Sequence, residues 1–391
     1  MLLKQVRIHT MEGAVIENGW LQTKGKVIAG FGPMNEMPVP EGQEDVIDGE
    51  GAELYPGFVD AHTHLGMWED GLGFEGDDGN EDTDPVTPHL RGMDAINPMD
   101  RCFLEAFRAG VTTVVTGPGS ANAIGGQLAA VKTYGMRIDD MIVKAPVAMK
   151  FALGENPKTV YHGKSQAPVT RMATAALIRE QLNKAKRYLR QLEEAAADEE
   201  LEEPDYDAKC EALLPVLKGE LPAHFHAHRC DDIFTAVRLA KEFHLRYTIV
   251  HGTQGHLAAD RLQAEGIQVL AGPILCDRSK PELRDLTPAN PGILSEAGVE
   301  TAIITDHPVI PIQYLPLCAG LAVREGMERE AALRAITIVP ARICGIADRV
   351  GSIAAGKDAD LVLFEEDPLS LSAKPRLVIV NGKVVVRRER D

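Results

Sequence analysis

Both ends of the sequence contain short segments in which apolar and polar residues alternate, which is the pattern of half-buried β-strands. The strands predicted in this way cover residues 3–9, 13–23, 26–31, 360–364 and 377–380. Asn381-Gly382 then favours a tight turn into one more strand. Strands at both ends, around a middle of different character, predict a small β-sandwich domain assembled from residues 1–54 and 345–391.

The middle of the sequence alternates short apolar runs with amphipathic stretches, as in a parallel sheet with crossover helices. The predicted strands cover residues 54–61, 112–116, 141–149, 223–227, 246–251, 268–271 and 300–305. The predicted helices cover residues 100–109, 231–243, 257–265 and 329–337. About eight such units over residues 55–344 predict an α/β fold, a (β/α)8 TIM barrel. An open doubly wound sheet is the second choice, because no G-x-G-x-x-G motif follows the first strand.

Two polar segments interrupt this alternation. Residues 66–100 follow the first predicted barrel strand and contain several acidic clusters, so we interpret them as an inserted loop. Loops of this length in compact domains are usually functional or disordered, and the position of this one favours a lid over the site. Residues 170–203 predict a charged helix whose polar side faces solvent.

Composition narrows the class of protein. The 391 residues are 45% hydrophobic and 25% charged, which is typical of a soluble globular protein with a sizeable core. A net charge of −17 argues against a nucleic-acid partner, which would need a basic surface. The six cysteines form no C-x-x-C pair, and no signal peptide or membrane-spanning run is found. We therefore expect a cytoplasmic protein with reduced thiols and no membrane partner, compatible with a homo-oligomer.

The most informative motif is PGFVDAHTH, residues 56–64, at the end of the first predicted barrel strand. Residues i and i+2 of a strand lie on the same face, so His62 and His64 can present two imidazoles to one ion. Active sites of TIM barrels gather at this end of their strands. Imidazole suits zinc, and also manganese, iron or cobalt, so the motif predicts one or two divalent ions, most naturally zinc.

Further candidates end other predicted strands. Lys150 ends the fourth strand, where a buried lysine is either ion-paired or, after reaction with CO₂, a carbamate that can bridge two metals. Glu155, five residues later, is the competing carboxylate. His224, His226 and His228 share one face of the fifth strand, and the pattern alone leaves open which of them is a ligand.

His251 closes the sixth predicted strand and Asp306 closes the eighth. Asp306 either caps the following helix or, facing a metal-bound water, serves as general base and then as proton donor. A bound metal lowers the pKa of water from about 15.7 to about 7. The predicted reaction is therefore hydrolysis of a C–N bond. Metal-bound hydroxide attacks the carbonyl carbon of the substrate, and Asp306 carries the proton to the departing nitrogen. No G-x-S-x-G motif supports a serine hydrolase.

These residues, in this order, resemble those of the amidohydrolase superfamily. LYPGFVDAHTHL, residues 54–65, is similar to the first-strand motif, and GSIAAGKDADLV, residues 351–362, to the return from the barrel to the small β-domain. The resemblance covers nearly the whole sequence and is nearest to the imidazolonepropionase-like and prolidase-like branch. It implies metal-dependent hydrolysis of a small-molecule substrate at a carbon–nitrogen bond other than a typical peptide bond, in an amide, a cyclic amide or a dipeptide.

The resemblance also implies a ligand set. The implied metal ligands are His62, His64, Lys150, His226, His251 and Asp306, with Lys150 at the position of the carboxylated lysine. His226 is chosen because His-Ala after a hydrophobic residue fits the family pattern best. His228, Glu155 and Arg229 are further substrate-binding candidates.

One departure from the family concerns the substrate carboxylate, which these enzymes bind with a basic residue. Arg229 and Lys158 are the candidates here, and neither is securely placed. If the acidic residues 66–100 covered the pocket, they would favour a neutral or cationic substrate.

Two other functions share features with this pattern. A heterocycle deaminase has the same fold and H-x-H motif, but usually lacks the lysine of the fourth strand. A non-catalytic barrel scaffold typically loses several metal ligands, whereas the whole set is present in this sequence.

Overall fold

The computed structural model describes residues 1–39, 45–71 and 73–389, and two eight-stranded sheets dominate this part of the chain. The strands are β1 (Leu2–Ile8), β2 (Ile16–Lys24), β3 (Val27–Pro33), β4 (Val46–Asp48), β5 (Glu53–Pro56), β6 (Phe58–Thr63), β7 (Val111–Thr116), β8 (Ile124–Lys132), β9 (Ile142–Ala152), β10 (Ala223–Ala227), β11 (Tyr247–His251), β12 (Gln268–Ala271), β13 (Glu300–Ile303), β14 (Leu361–Phe364), β15 (Leu377–Val380) and β16 (Lys383–Arg387). The helices are α1 (Arg101–Arg108), α2 (Ile138–Met141), α3 (Glu155–Gly163), α4 (Arg171–Ala197), α5 (Ala208–Leu217), α6 (Cys230–Phe243), α7 (Ala259–Ala264), α8 (Asn290–Glu296), α9 (Leu315–Arg324), α10 (Arg329–Arg334) and α11 (Ile338–Ile343).

The first sheet joins strands from both ends of the sequence, in the order β16-β15-β14-β5-β1-β2-β3, with β4 beside β1. β14 runs antiparallel to β5, with Leu361 opposite Pro56. Leu3, Leu54 and Ile379 belong to the apolar cluster buried against this sheet. The association of the two ends agrees with the sequence pattern. A two-layered sandwich is not confirmed, because all eight strands belong to one sheet, and the domain boundary after residue 54 stays a prediction.

The second sheet contains β6 to β13 in sequence order, and its two edges meet. The backbone N–H of Asp306 donates a hydrogen bond to the carbonyl oxygen of His62 at 3.2 Å. The backbone N–H of His64 donates one to the carbonyl oxygen of His307 at 2.8 Å. Apolar residues from seven of the eight strands form one buried cluster inside this ring, among them Val59, Val115 and Leu270. The nearly closed sheet confirms the predicted TIM-like barrel.

The third strand of the barrel differs from the prediction. β8 was absent from the predicted strands, and it runs antiparallel to both β7 and β9, whereas the other neighbouring strands of the ring are parallel. A parallel crossover needs a dozen or more residues, and residues 117–123 are too few to supply one. The chain therefore turns back directly, and the regular β/α repeat predicted here was wrong.

The predicted strand over residues 54–61 is divided into β5 and β6, which belong to different sheets. Gly57 separates them, and its N–H donates to the carbonyl oxygen of Asp360 at 2.9 Å. A Cβ atom at residue 57 would lie 2.0 Å from Oγ1 of Thr112. Only glycine fits at this position, so the chain passes from the terminal sheet into the barrel at a single residue.

The long polar helix forms as predicted over most of residues 170–203, but it ends at Ala197, so residues 198–203 lie outside it. α4 begins after Thr170, whose hydroxyl accepts a hydrogen bond from the N–H of Ala173 at 3.1 Å, as an N-cap does. Ile178, Leu182 and Ala185 form its buried stripe, and most of its charged residues face solvent. In the described part of the chain, no helix has both the length and the apolar character needed to cross a lipid bilayer.

Candidate metal centre

The six residues predicted as ligands converge at one end of the barrel. They come from the ends of β6, β9, β10 and β11 and from the segment after β13, and all are buried or nearly so. Among the described residues, two groups have ligand atoms within 4.8 Å of one another. The groups are His62, His251 and Asp306, and His226, His228 and His251.

Asp306 lies between the two histidines of the H-x-H motif. Its Oδ1 atom is 3.5 Å from Nε2 of His62 and 3.4 Å from Nε2 of His64. The other ring nitrogen of His64 lies 2.7 Å from the carbonyl oxygen of Gly117, and Nδ1 of His251 lies 2.7 Å from that of Gly272. A carbonyl oxygen can only accept, so both rings carry hydrogen on Nδ1 and leave an Nε2 lone pair free. This arrangement is typical of metal-binding histidines.

Two of these residues have an unusual backbone. His251 has φ 76° and Asp306 has φ 56°, in the left-handed region that costs a residue with a side chain on the order of 1 kcal/mol. Asp60 helps to hold the second of these segments, because its carboxylate accepts hydrogen bonds from the N–H groups of Thr305 at 3.0 Å and His62 at 3.2 Å. Such local strain is found most often at functional sites.

Lys150 is completely buried beside the same centre. Its Nζ lies 2.9 Å from Nε2 of His62, and no carboxylate of the described residues is within ion-pair distance of it. Burial lowers the pKa of Lys150 to about 8, although the nearby Asp306 opposes the shift. The interpretation of Lys150 as an ordinary buried ion-paired lysine is therefore not supported.

The protonation states suit a divalent metal. Burial lowers the pKa of His62 and His226 and brings that of His251 to about 4, so these imidazoles are neutral near pH 7. Burial raises the pKa of Asp306, but His251, His64 and Lys150 outweigh it, and the pKa stays below its ordinary value. Both ring nitrogens of His226 are buried without a hydrogen-bond partner, a costly state that a bound metal would relieve. The residues therefore fit such an ion.

Glu282 and Lys280, in the loop after β12, are functional candidates that the sequence reasoning missed. Glu282 is 1% exposed, and its Oε1 lies 3.5 Å from Nε2 of His228 and 3.9 Å from Nε2 of His226. Nζ of Lys280 lies 2.7 Å from the same oxygen. The one available signal was a Lys-x-Glu sequence in a loop after a barrel strand, which is also common on exposed loops.

A cavity of about 840 Å³ opens above these residues, and His64, His226, His228 and Asp306 form part of its lining. Trp68 and Asn80, from residues 66–100, form part of the wall, and the Trp68 ring meets His64 edge-on at 4.7 Å. This segment therefore lies beside the site, as its position suggested. Whether it moves as a lid stays a prediction.

The charges of that segment do not face the cavity. Its residues on the cavity wall are the uncharged Trp68 and Asn80, among the described ones. Asp82 pairs with Lys164, and several other acidic side chains are exposed. The argument for a neutral or cationic substrate, which assumed that the charges cover the pocket, has lost its basis.

The predicted substrate-binding residues separate into two sets. His228 and Glu155 line the cavity, whereas Arg229 and Lys158 do not. The guanidinium of Arg229 makes two hydrogen bonds to the carboxylate of Asp231, at 2.9 and 2.8 Å. Arg229 therefore pairs with Asp231 outside the cavity wall, where Lys280 supplies a cation, and a role of Arg229 in substrate binding stays a prediction.

Two further candidates lie outside both histidine groups. His224 is buried with neither ring nitrogen hydrogen-bonded, and it belongs to neither group. The choice of His226 as the ligand of the fifth strand stays a prediction, because His226 and His228 belong to the same group. Glu155 also belongs to neither group, although its carboxylate lies on the cavity wall.

Comparison with known proteins identifies the family of this chain and agrees with its fold. Residues 54–385 match the sequence model of the amidohydrolase family. The amidohydrolase tasK of Hapsidospora irregularis is 32% identical over 93% of this chain, which spans 40% of that protein's length. The imidazolonepropionase of Shouchella clausii is 26% identical, over 90% of this chain and 81% of its own length.

Among solved structures, an amidohydrolase from Thermotoga maritima superimposes with a TM-score of 0.94. It is 39% identical, and the superposition covers 99% of this chain and all of the other. The family model covers most of this chain, and the H-x-H motif stands at the end of the first barrel strand. The chain therefore belongs to the amidohydrolase family, as the resemblance of its motifs predicted.

Proposed function

We propose that this protein is a metal-dependent hydrolase that cleaves a C–N bond in a small amide, a cyclic amide or a dipeptide. The observation that carries the proposal is the convergence of His62, His64, His251 and Asp306 at one end of the barrel. The imidazolonepropionase and amidohydrolase relatives support this reaction class.

His62, His64, His226, His251 and Asp306 would hold the metal, and the neutral imidazoles favour zinc over the harder ions. When bound, a divalent metal supplies an acidified water and polarises the substrate carbonyl. The Nδ1 contacts of His64 and His251 with backbone carbonyls orient their rings before any ion arrives.

Asp306 would move the proton. Its depressed pKa keeps it a carboxylate at neutral pH, so it can accept a proton from the attacking water. The same oxygen, near His62 and His64, then returns the proton to the departing nitrogen. Such transfers typically contribute a factor of roughly 10² to 10⁴ in rate.

Lys150 is proposed to carry a carboxyl group. A new N–C bond between its amine and CO₂ would form a carbamate and release one proton to water. The reaction needs a neutral amine, and a pKa of about 8 gives Lys150 a larger neutral fraction than an exposed lysine has. Its contact with His62 would place the carbamate beside the H-x-H motif.

Metal removal tests the proposal. The enzyme is dialysed against a chelator and assayed, with and without added zinc or manganese, on N-acyl amino acids, dipeptides, cyclic amides and amino-substituted heterocycles. We expect loss of hydrolysis without metal and recovery on reloading. A metal-free preparation with full activity would overturn the metal requirement. Ammonia release from the heterocycles alone would instead indicate a deaminase.

A further inference from the structure

We infer that Trp68, Pro308 and Val309 form a subsite for an aromatic group on the amine side of the substrate. All three residues lie on the wall of the cavity above the candidate metal centre. The inference rests on the proposed function and narrows it to amides in which the departing amine carries an aromatic ring.

Trp68 is held firmly in place by the segments around it. Its backbone pairs with Asp77 in an isolated β-bridge. Gly79 and Gly119 pack against the indole, because a Cβ atom would lie 2.2 Å from Cζ2 of the ring at Gly79 and 2.9 Å from Cη2 at Gly119. The N–H of Gly119 also donates a hydrogen bond to the carbonyl oxygen of Gly79 at 2.7 Å. An aromatic side chain that is fixed in advance loses little conformational freedom when a ligand binds.

The indole of Trp68 lies beside the residues proposed to react. Its ring meets the ring of His64 edge-on, with the two centroids 4.7 Å apart. Trp68 is only partly buried, and it forms part of the cavity wall. A substrate bound at His64 and Asp306 therefore comes within reach of the indole. Aromatic rings attract each other in offset-stacked or edge-to-face arrangements, so a ring on the substrate would be stabilised there.

The turn after β13 brings Pro308 and Val309 to the same part of the cavity. The N–H of Val309 donates a hydrogen bond to the carbonyl oxygen of Asp306 at 2.9 Å. The N–H of His64 donates one to the carbonyl oxygen of His307 at 2.8 Å, so this turn lies against the end of β6. The side chain of Val309 is 52% exposed and is available for contact with a ligand. The apolar surface therefore flanks the proposed reacting residues.

The role proposed for Asp306 decides which side of the substrate faces this surface. Asp306 returns the proton to the departing nitrogen, so that nitrogen must lie near its carboxylate, and the group on the nitrogen extends toward Pro308 and its neighbours. Another part of the wall is polar. Asn156 donates a hydrogen bond to Ser120 at 2.8 Å and accepts one from Lys280 at 2.8 Å. That part of the wall suits a polar acyl side better than an aromatic ring.

Kinetics with three N-acyl amino acids test the subsite. N-acetylphenylalanine and N-acetylglycine differ only on the amine side, N-phenylacetylglycine carries its ring on the acyl side, and all three have one carboxylate. We expect the zinc-loaded enzyme to prefer N-acetylphenylalanine in kcat/KM by roughly 10- to 100-fold. W68A should remove this preference with little change for N-acetylglycine, whereas W68F should keep most of it. F74A, at a 94% exposed aromatic residue of the same segment, is the matched control.

A fluorescence experiment tests the contact without catalysis. The sequence has two tryptophans, Trp68 and Trp20, and Trp20 lies in β2 of the terminal sheet. In the variant W20F, all indole emission therefore comes from Trp68. We expect N-acetylphenylalanine to change the emission of metal-free W20F at a lower concentration than N-acetylglycine does. W68F, which retains only Trp20, should show no change.

The outcomes separate this inference from the proposed function. Equal kcat/KM for the three substrates, a preference for N-phenylacetylglycine, or an equal loss for all three in W68A would overturn the subsite and leave the hydrolase proposal intact. An emission change in W20F that does not distinguish N-acetylphenylalanine from N-acetylglycine would also overturn it. Preferential binding to W20F without hydrolysis of any of the three would remove the amine-side assignment together with the hydrolase proposal for these amides.

Discussion

Asp306 combines several constraints in one side chain. It has a left-handed backbone, its carboxylate lies near two histidines, and its N–H bonds to the carbonyl oxygen of His62. Most residues in its place would relax toward an ordinary φ. The left-handed backbone of Asp306 lowers local stability, but it places the carboxylate oxygen Oδ1 near His62 and His64.

Replacement of Asp306 by Asn tests whether this side chain transfers the proton. The amide keeps the size of the side chain but cannot accept and return a proton at neutral pH. We expect kcat to fall by roughly 10² to 10⁴, with metal still bound. Steady-state kinetics and metal analysis on the same preparation measure both effects, with the exposed Asp260→Asn as control. Unchanged kcat in D306N would remove Asp306 from proton transfer.

Some site residues could be predicted from the sequence and others could not. His62 and His64 could be placed because two histidines at i and i+2 after a buried strand must share a face. Glu282 could not, because it lies in a three-residue 3-10 helix, Pro281–Leu283, which is too short for periodicity to distinguish a buried carboxylate from an exposed one. Distances between loops and strands depend on tertiary packing, which local patterns do not record.

At the scale of elements, the antiparallel strand β8 connects the barrel to the terminal sheet. Lys132, its last residue, is 1% exposed and pairs with Asp360 and, at 2.8 Å, with Asp358. Asp360 also accepts a hydrogen bond from the N–H of Asn381 at 2.8 Å. This buried group fixes the strand against the segment that leads into β14.

The prediction for this group concerns stability. Lys132→Met leaves the two aspartates without their buried cation, and breaking such a pair costs about 3–5 kcal/mol. We expect the midpoint of urea unfolding to fall accordingly, and the triple variant K132M/D358N/D360N to recover part of the loss. Lys144→Met, at an exposed lysine of β9, is the control. A K132M midpoint equal to that of K144M would contradict the anchoring role.

β8 was not predicted because its sequence resembles a typical strand only weakly. β8 contains Gly125 and Gly126 and then a small-residue pair at Ala129 and Ala130, so its apolar signal is weak. The neighbouring strands are rich in Val, Ile and Thr and could be predicted. An antiparallel return also lacks the helix that normally marks the next unit of a barrel.

At the scale of the whole molecule, hydrogen bonds connect a residue near the start of the sequence with residues near its end. Glu12, after β1, accepts hydrogen bonds from Ser352 at 2.5 Å, Arg342 at 2.8 Å and Lys357 at 3.2 Å. The hydrogen bond from Ser352 contributes most to lowering the pKa of Glu12, which reaches about 2 against the opposing effect of burial. Its charged form therefore stabilises the folded state.

This contribution should depend on pH. The folded pKa lies below the ordinary value of 4.5, so the stabilisation is present above pH 4.5 and is lost as the pH falls toward 2. The Glu12 side chain is 37% exposed, so we expect E12Q to cost about 1 kcal/mol at pH 7 after solvent screening. Urea unfolding at several pH values should show this difference disappear in acid. A difference in the free energy of unfolding between E12Q and wild type that stays constant with pH would contradict this contribution. Glu36→Gln, at an exposed residue, is the control and should leave the free energy of unfolding unchanged at every pH.

The barrel and the joining of the two ends could both be predicted, since periodicity and strand-end chemistry are local. The division of residues 54–61 between two sheets was missed, although Pro56-Gly57 interrupts the apolar run at that point. A Pro-Gly pair marks a break in the chain, but it does not show that the two halves join different sheets.

The separation of β5 from β6 affects the order in which the two sheets can be completed during translation. β5 lies between β1 and β14, and β14 leaves the ribosome after all eight strands of the barrel. One residue separates β5 from the strand that carries His62. The anchor of the H-x-H motif is therefore incomplete throughout translation of the barrel. Metal acquisition is expected to be a post-translational step, and a nascent chain stalled before residue 361 should bind metal weakly, however well its barrel has formed.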